Sequence, residues 1–306
     1  MDFLIRDYRE TDHNEVVELY KAIKSKYKDI IFWWPGPIQF APFTQSVFVN
    51  ERMVAKGQVQ PITIIKEDGD PSSHHEIYVN MKIHPDYEEN QEIRDSLYEI
   101  LYEKALKIKG NLPESFQTKL CAGNYAIEVA DNQFLMGKGF EEKGSLYWMV
   151  RDLTEMIEPV ENNDEEIEIK EWKIETEEEI QYYLKMEKKI WPDHPISKER
   201  LLEYKCNPNW TCFAAFVEGE LVASVMAWQE SDTLGEIEDL FVSPDYRNRG
   251  LARVLFTKAM EHLSRLELKE ADLCVLVDND KAINLYRSVG FQVAKEEKRF
   301  KKDLIF

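Results

Sequence analysis

The chain has 306 residues, 43% of them hydrophobic, with 39 basic and 58 acidic residues and a formal net charge of -19. That length predicts two domains, and an apolar share of this size, with seven Trp, 14 Tyr and 15 Phe, excludes wholesale disorder. The acidic balance excludes nucleic acid and anionic membrane as main partners, because both need clustered Lys and Arg; it suits a cationic small molecule or peptide, and equally a plain demand for solubility.

In chain order, Phe3-Leu4-Ile5-Arg6 is the first predicted strand, and neither a basic region nor a long apolar run marks a signal peptide there. A Glu-rich helix punctuated by Val16, Val17, Leu19 and Tyr20 follows. The most apolar stretch, Ile30 to Phe43, is interrupted by Pro35, Gly36, Pro37 and Pro42, and falls short of the ~20 apolar residues of a membrane helix. Trp33 and Trp34 within it read as core packing, with a docking role as the alternative. Phe48 to Ala55 reads as a β-hairpin, His74-His75 as an exposed loop, and Ile77 to Ile83 as a strand ended by Pro85-Asp86-Tyr87 ahead of a helix. Gly139-Phe140 closes the last helix of this half.

Met156 to Glu166, with one Pro, two Asn and a run of acids, reads as a linker, and the pattern then restarts. Ile167 to Lys170 is a strand, Ile180, Tyr183 and Leu184 mark a Glu-rich helix, and Phe216 to Ala223 is a hairpin with Glu218-Gly219 at its turn. Glu236 to Val242 is a strand ended by Pro244-Asp245-Tyr246, and Gly290-Phe291 mirrors Gly139-Phe140. Matches in the same order at spacings of roughly 150–170 residues predict a duplication. The expected architecture is therefore α/β with a mixed sheet in each of two tandem domains, 1–155 and 167–306, joined by a linker at 156–166. Cys121, Cys206, Cys212 and Cys274 lack CxxC spacing, so neither a disulfide framework nor a zinc site is expected, and a reducing cytoplasm fits.

Chemistry concentrates between Glu236 and Ala252. Leu240, Phe241 and Val242 continue a strand, while Leu251, Val254, Leu255 and Met260 begin a helical stripe. Between them lie Arg247, Asn248, Arg249 and Gly250. A glycine at a helix start admits a ligand to the unsatisfied N–H groups and the positive end of the helix dipole, and two arginines beside it suit a diphosphate. An ordinary turn with solvated arginines is the other reading of these residues alone.

Arg247-x-x-Gly250-x-Ala252 resembles the pyrophosphate-binding signature of the GNAT acetyltransferase superfamily. Asn279 to Phe291 resembles that family's second signature, N-x-x-A-x-x-L-Y-x-x-x-G-F, in full. The resemblance covers about Glu166 to Leu304 and leaves a faded echo in the first half. It implies tandem GNAT-like acyl-CoA N-acyltransferase domains, with acetyl-CoA as co-substrate and no metal. The loop Arg247, Asn248, Arg249, Gly250, Leu251 and Ala252 would hold the pyrophosphate. Leu240, Phe241 and Val242 would splay from the next strand and pair with the pantetheine arm. Asn279 and Ala282 would touch the cofactor, and Tyr286 would protonate the leaving thiolate. A neutral amine is needed for attack, so a base is sought in Glu236 or Glu238, with Glu236 the first choice because it lies where several members of the family carry a catalytic Glu; strand alternation puts these on one face and Asp239 on the other, unless a bulge intervenes. Trp191, Asp193 and His194 are the candidate acceptor contacts, and Cys274 reads as a small core residue rather than a nucleophile.

The implied activity is transfer of an acetyl group to a primary amine on a small molecule or peptide, directly in a ternary complex. A CoA-binding regulatory or scaffold protein with little turnover is the alternative. Setting Tyr87 on Tyr246 puts Glu88 at Arg247, Asn90 at Arg249, Gln91 at Gly250 and Ile93 at Ala252, while Gly139-Phe140 puts Leu135 at Tyr286. With Glu89 adding repulsion, the first half is expected to keep the fold and lose the cofactor site, serving as a pocket wall or a homodimer contact.

Overall fold

The computed structural model describes residues 2–36, 43–67, 69, 73–162, 164–192 and 195–305. The chain forms two compact units, Met1–Leu146 with Glu296–Phe306, and Tyr147–Lys295. In the first, β1 (Leu4–Asp7), α1 (His13–Lys26), β2 (Thr44–Val49), β3 (Arg52–Thr63), β4 (His74–Ile83), α2 (Gln91–Lys109), β5 (Gln117–Tyr125), α3 (Val129–Gly137) and the start of β6 (Glu141–Asp152) follow in order. In the second come β7 (Glu168–Glu171), α4 (Glu177–Ile190), α5 (Lys198–Lys205), β8 (Thr211–Val217), β9 (Glu220–Gln229), β10 (Leu234–Val242), α6 (Leu251–Arg265), β11 (Glu270–Leu276) and α7 (Asp280–Ser288). The last strand is β12 (Gln292–Asp303).

The first sheet runs β1-β2-β3-β4-β5-β12 and the second β7-β8-β9-β10-β11-β6. Both begin antiparallel and switch to one parallel pair, β4 with β5 and β10 with β11. A parallel pair needs a crossover, which α2 and α6 provide. The hairpins turn at Asn50-Glu51 and Glu218-Gly219, all four with positive φ, the turn shape that matches strand twist. Helical spacing on α2 buries Ile93, Leu97, Leu101, Ala105 and Ile108, and on α6 it buries Leu251, Val254, Leu255, Ala259 and Leu263. Each of these Ile, Leu and Val side chains contributes about 1.5–3 kcal/mol by leaving water. Gly57 on β3 and Gly235 on β10 let these helices sit close: a Cβ would fall 2.4 Å from Leu101 or 2.7 Å from Leu263.

The expected boundaries at 155 and 167 are not where the units divide. β12 pairs with β5 from Glu297–Tyr125 to Asp303–Lys119, and Phe300 and Leu304 join the first core. β6, from Tyr147 onward, serves the second unit, where Met149 and Leu153 are core residues. The strand closing each sheet thus comes from the other half of the sequence. The segment expected as a linker lies within the second unit: Ile157 packs on its core, and Asn162 Nδ2 donates to the carbonyls of Asp164 and Ile167 at 2.9 Å.

His75 departs from the expected exposed loop. It is fully buried on β4, with Nδ1 accepting from Ile65 N at 3.0 Å and the other ring nitrogen 3.1 Å from Pro113 O. A ring with both nitrogens occupied can be buried without loss. Trp34 is 45% exposed and packs against Tyr20, Phe32 and His13 of its own unit. No described helix is long and apolar enough to cross a membrane, and no cluster of metal-ligating side chains occurs among the described residues.

Candidate functional site

In the second unit, β10 and β11 stay paired only over Leu234–Glu270, Gly235–Ala271 and Glu236–Asp272. Beyond that point the β10–β11 ladder stops, so a cleft opens between two parallel strands. On its other edge β10 breaks register with β9: Glu238 faces Met226, and the next pair is Phe241 with Ser224. The extra residue is a bulge in which Asp239 adopts φ 50°.

The bulge changes the face of one acid. Met226, Trp228 and Phe241 belong to the core under α4 and α5, whereas Ile237, Leu240 and Val242 pack on the α6 side. Asp239 accepts from the hydroxyl of Tyr183 on α4, so it lies on the same face as Glu236 and Glu238. Burial raises all three carboxyls. Glu236 is raised furthest, first by burial and then by Asp272, which faces it across the last pair and is raised as well. Trp228 flanks Glu236 on β9, stacks on Tyr204 at 4.8 Å and donates Nε1 to Glu230 at 3.2 Å.

Tyr286 projects from α7 onto Phe256 and Phe291, with ring centroids at 5.1 and 6.4 Å. Its hydroxyl takes no hydrogen-bond partner among the described residues, and burial pushes its pKa up to about 12, with the charges of Glu238 and Cys274 adding. Asn279 caps α7, Oδ1 accepting from Ala282 N at 3.2 Å. That bond occupies one of the groups expected at the cofactor.

At the mouth of the cleft β10 gives way to a short turn, Pro244–Tyr246, and then to Gly250 as N-cap of α6 at φ 80°. No side chain caps this end, no acid lies in its first turn, and a Cβ at Gly250 would meet open space. The first-turn N–H groups are therefore free to meet an anion. Arg247 Nε is tied to Val242 O at 3.1 Å, and Arg249 lies over Tyr246 with an ion pair to Asp164 at 3.4 Å. Arg253, on the same first turn, has a buried Nε without a hydrogen-bond partner. It was missed in the sequence because it stands outside the signature, although a third arginine three residues past Gly250 was in plain sight. An uncapped helix start with three arginines fits a diphosphate.

The acetyltransferase (GNAT) family model matches residues 167–291. An acetyltransferase of Sodalis glossinidius is 31% identical over 103 residues, covering 34% of this chain and 70% of the relative. The chain belongs to the GNAT family. An uncharacterized N-acetyltransferase of Methanocaldococcus jannaschii is 36% identical over 63 residues, 21% of this chain and 28% of the relative, so the match spans about a quarter of that protein's length. Among solved structures, a GCN5-related N-acetyltransferase from Sphaerobacter thermophilus shares the fold over 99% of this chain and 96% of its own, with a TM-score of 0.79 and 17% identity. A tandem GNAT protein from the clavulanic acid biosynthesis pathway does so over 100% and 99%, with a TM-score of 0.67 and 15% identity.

The first GNAT-like unit repeats the scaffold with the site filled. β4 leaves β5 after Tyr78–Cys121, as β10 leaves β11. Yet β4 keeps unbroken register with β3 from Ile77 to Ile83, so no bulge follows its last pair with β5. Lys82 crosses the gap to Asn124 Oδ1 at 2.9 Å and to Asp131 at 3.2 Å, and pairs with Glu128. Asn80 holds the carbonyl of Ile31 and the N–H of Trp33 along the same strand.

At the helix start the structure corrects the expected alignment by one residue. α2 is capped by Asn90, whose Oδ1 accepts from Ile93 N at 3.1 Å, so Asn90 rather than Gln91 stands where Gly250 stands. A side chain closes the anion site from within, and Glu88 and Glu89 line the adjoining pocket of about 450 Å³. The other equivalence holds: Phe140 N donates to Leu135 O at 3.1 Å as Phe291 N donates to Tyr286 O at 3.0 Å. On the acceptor side, Trp191 ends α4 and is 43% exposed; Asp193 and His194 lie outside the described residues.

Proposed function

We propose that the second unit is an acetyl-CoA-dependent N-acetyltransferase acting on a primary amine of a small molecule or peptide, and that the first unit binds no acyl-CoA. The observation that carries this is the cleft between β10 and β11, which runs from an uncapped, arginine-flanked helix start to a bulge ringed by carboxyls. Acetyl-CoA supplies an activated acyl group as a thioester. Gly250 to Arg253, with Arg247 and Arg249, would hold its diphosphate, and the cleft-facing edge of Leu240 to Val242 would hold the pantetheine arm.

Acid and base follow from electrostatics. Glu236 is a poor base, because beside Asp272 its carboxyl keeps its proton far above the usual range. Glu238 is half-buried, lies next on the same face of the strand and has no carboxyl paired with it as Asp272 is paired with Glu236, so it is the better candidate to take the proton of the amine, although burial raises it too. Its charge also bears on Tyr286. When Glu238 gains a proton that charge vanishes, and Tyr286 becomes a stronger acid at the moment a thiolate needs one. The two groups are thereby coupled through space.

Calorimetric titration of the full chain with acetyl-CoA, beside Gly250→Glu, tests the reading. One site per chain, lost in the variant, is expected. Two sites would restore the first unit as a binder, and none would leave the fold without its chemistry.

A further inference from the structure

Tyr183 lies in the middle of α4 with no exposed surface. Its hydroxyl donates to the carboxylate of Asp239 on β10 and lies 3.3 Å from Ser224 Oγ on β9. These are the two strands that lose register there, since three steps on β10 from Glu238 to Phe241 face two on β9 from Met226 to Ser224. One phenol thus bridges both sides of the break.

Asp239 is in a left-handed conformation that a residue with a Cβ adopts at a cost, though Asp tolerates it better than most. The Tyr183 hydroxyl is its sole hydrogen-bond donor among the described residues. Glu187, four residues on along α4 and 2% exposed, accepts from Ile196 N at 3.1 Å, and its carboxyl is raised to about 7 by burial and by the charge of Asp239. Without the phenol, Asp239 would be a half-buried carboxylate with no donor beside a second acid, and the simplest relief is to turn out of the bulge. A phenylalanine would fill the same core space without a polar group to satisfy, so packing does not account for the hydroxyl.

We infer that Tyr183 and Asp239 are positioning residues that fix the bulge of β10 and so aim the cleft-facing backbone edge of Leu240 to Val242 at the acyl carbonyl. The inference rests on the cleft being an acyl-CoA site. The clamp belongs to this unit alone, because β4 keeps its register with β3 from Ile77 to Ile83 and has no break beyond its last pair with β5.

The test is isotope-edited infrared spectroscopy of acetyl-CoA labelled at the acetyl carbonyl and bound to the full chain, with calorimetry of CoA and acetyl-CoA. The wild type is expected to move the thioester band to lower frequency. Tyr183→Phe and Asp239→Ala should each return it toward the free value and slow turnover about tenfold, leaving the affinity for CoA within about twofold. The double variant should be no worse than either single one, since both act through one contact. Should Tyr183→Phe fail to fold, Asp239→Ala, which leaves no orphaned carboxylate and disfavours the positive φ, must show the same return by itself. A band unmoved in the wild type, unchanged in the variants, or shifted additively in the double variant overturns the clamp. Failure of the wild type to bind acetyl-CoA would instead sink the functional reading, and the clamp with it.

Discussion

Glu236 and Asp272 stand carboxyl to carboxyl in the last paired register of β10 and β11, at the point where the cleft opens. Two acids at such a site keep a proton between them, because burial and mutual repulsion both oppose a second charge. Each titrates higher in the folded chain than in the unfolded one. The folded state therefore binds more protons, and stability falls as pH rises from about 4 toward the raised values. Asp272→Asn is expected to raise the thermal midpoint at pH 8 while leaving it nearly unchanged at pH 4. Each unit of upward displacement removed is worth about 1.4 kcal/mol. Melting curves at the two pH values check this.

Tyr286 tests the proposed division of labour. Tyr286→Phe is expected to lower kcat by about 100-fold, the low end for a lost acid, while acetyl-CoA affinity stays within about twofold. Equal loss of turnover and binding would assign the ring to the cofactor pocket. Glu238→Gln should cost turnover to a similar degree, remove the acidic limb of the rate profile and move the basic limb set by Tyr286 to lower pH, since the charge that raises the phenol is gone.

Arg253 carries a prediction that no signature suggested. Its buried Nε has no partner, and the open start of α6 lies beside it. Arg253→Ala is expected to weaken acetyl-CoA binding by about tenfold or more, the scale of one charge-assisted hydrogen bond, with little change in the melting point of the free protein. Binding should also become less sensitive to salt.

In the first unit, Lys82 is nearly fully buried between Glu128 and Asp131. Lys82→Met is expected to destabilise the chain by about 3–5 kcal/mol, because two acids are left without a counter-charge. Adding Glu128→Leu should recover much of that loss. Acetyl-CoA titration of the second unit should be indifferent to both changes, and chemical denaturation reads the stability.

What the sequence made legible was local. Gly250 after two arginines, Tyr286 five residues ahead of Phe291, and the two hairpin turns each carry their signal within one short window. The bulge at Asp239 does not, since only a positive φ and a slipped register mark it. His75 looked like loop because its neighbours are Ser and Glu; the carbonyl and amide that satisfy its ring lie at Pro113 and Ile65. The one-residue error at Asn90 arose because the helix cap comes three residues after Tyr87 but four after Tyr246. The exchange of closing strands left no local trace, because β12 and β5 meet across more than half the chain.

That pairing also has a meaning in time. Ribosomes add roughly 5–20 residues per second, so β5 waits on the order of ten seconds for β12 to be made. Throughout that interval the edge of β5 is an unpaired template within a nascent chain. Neither half of the sequence can finish folding by itself, and the first to be synthesised is the last to close. A slow final phase, and a demand for chaperone cover during synthesis, follow from where two strands were placed.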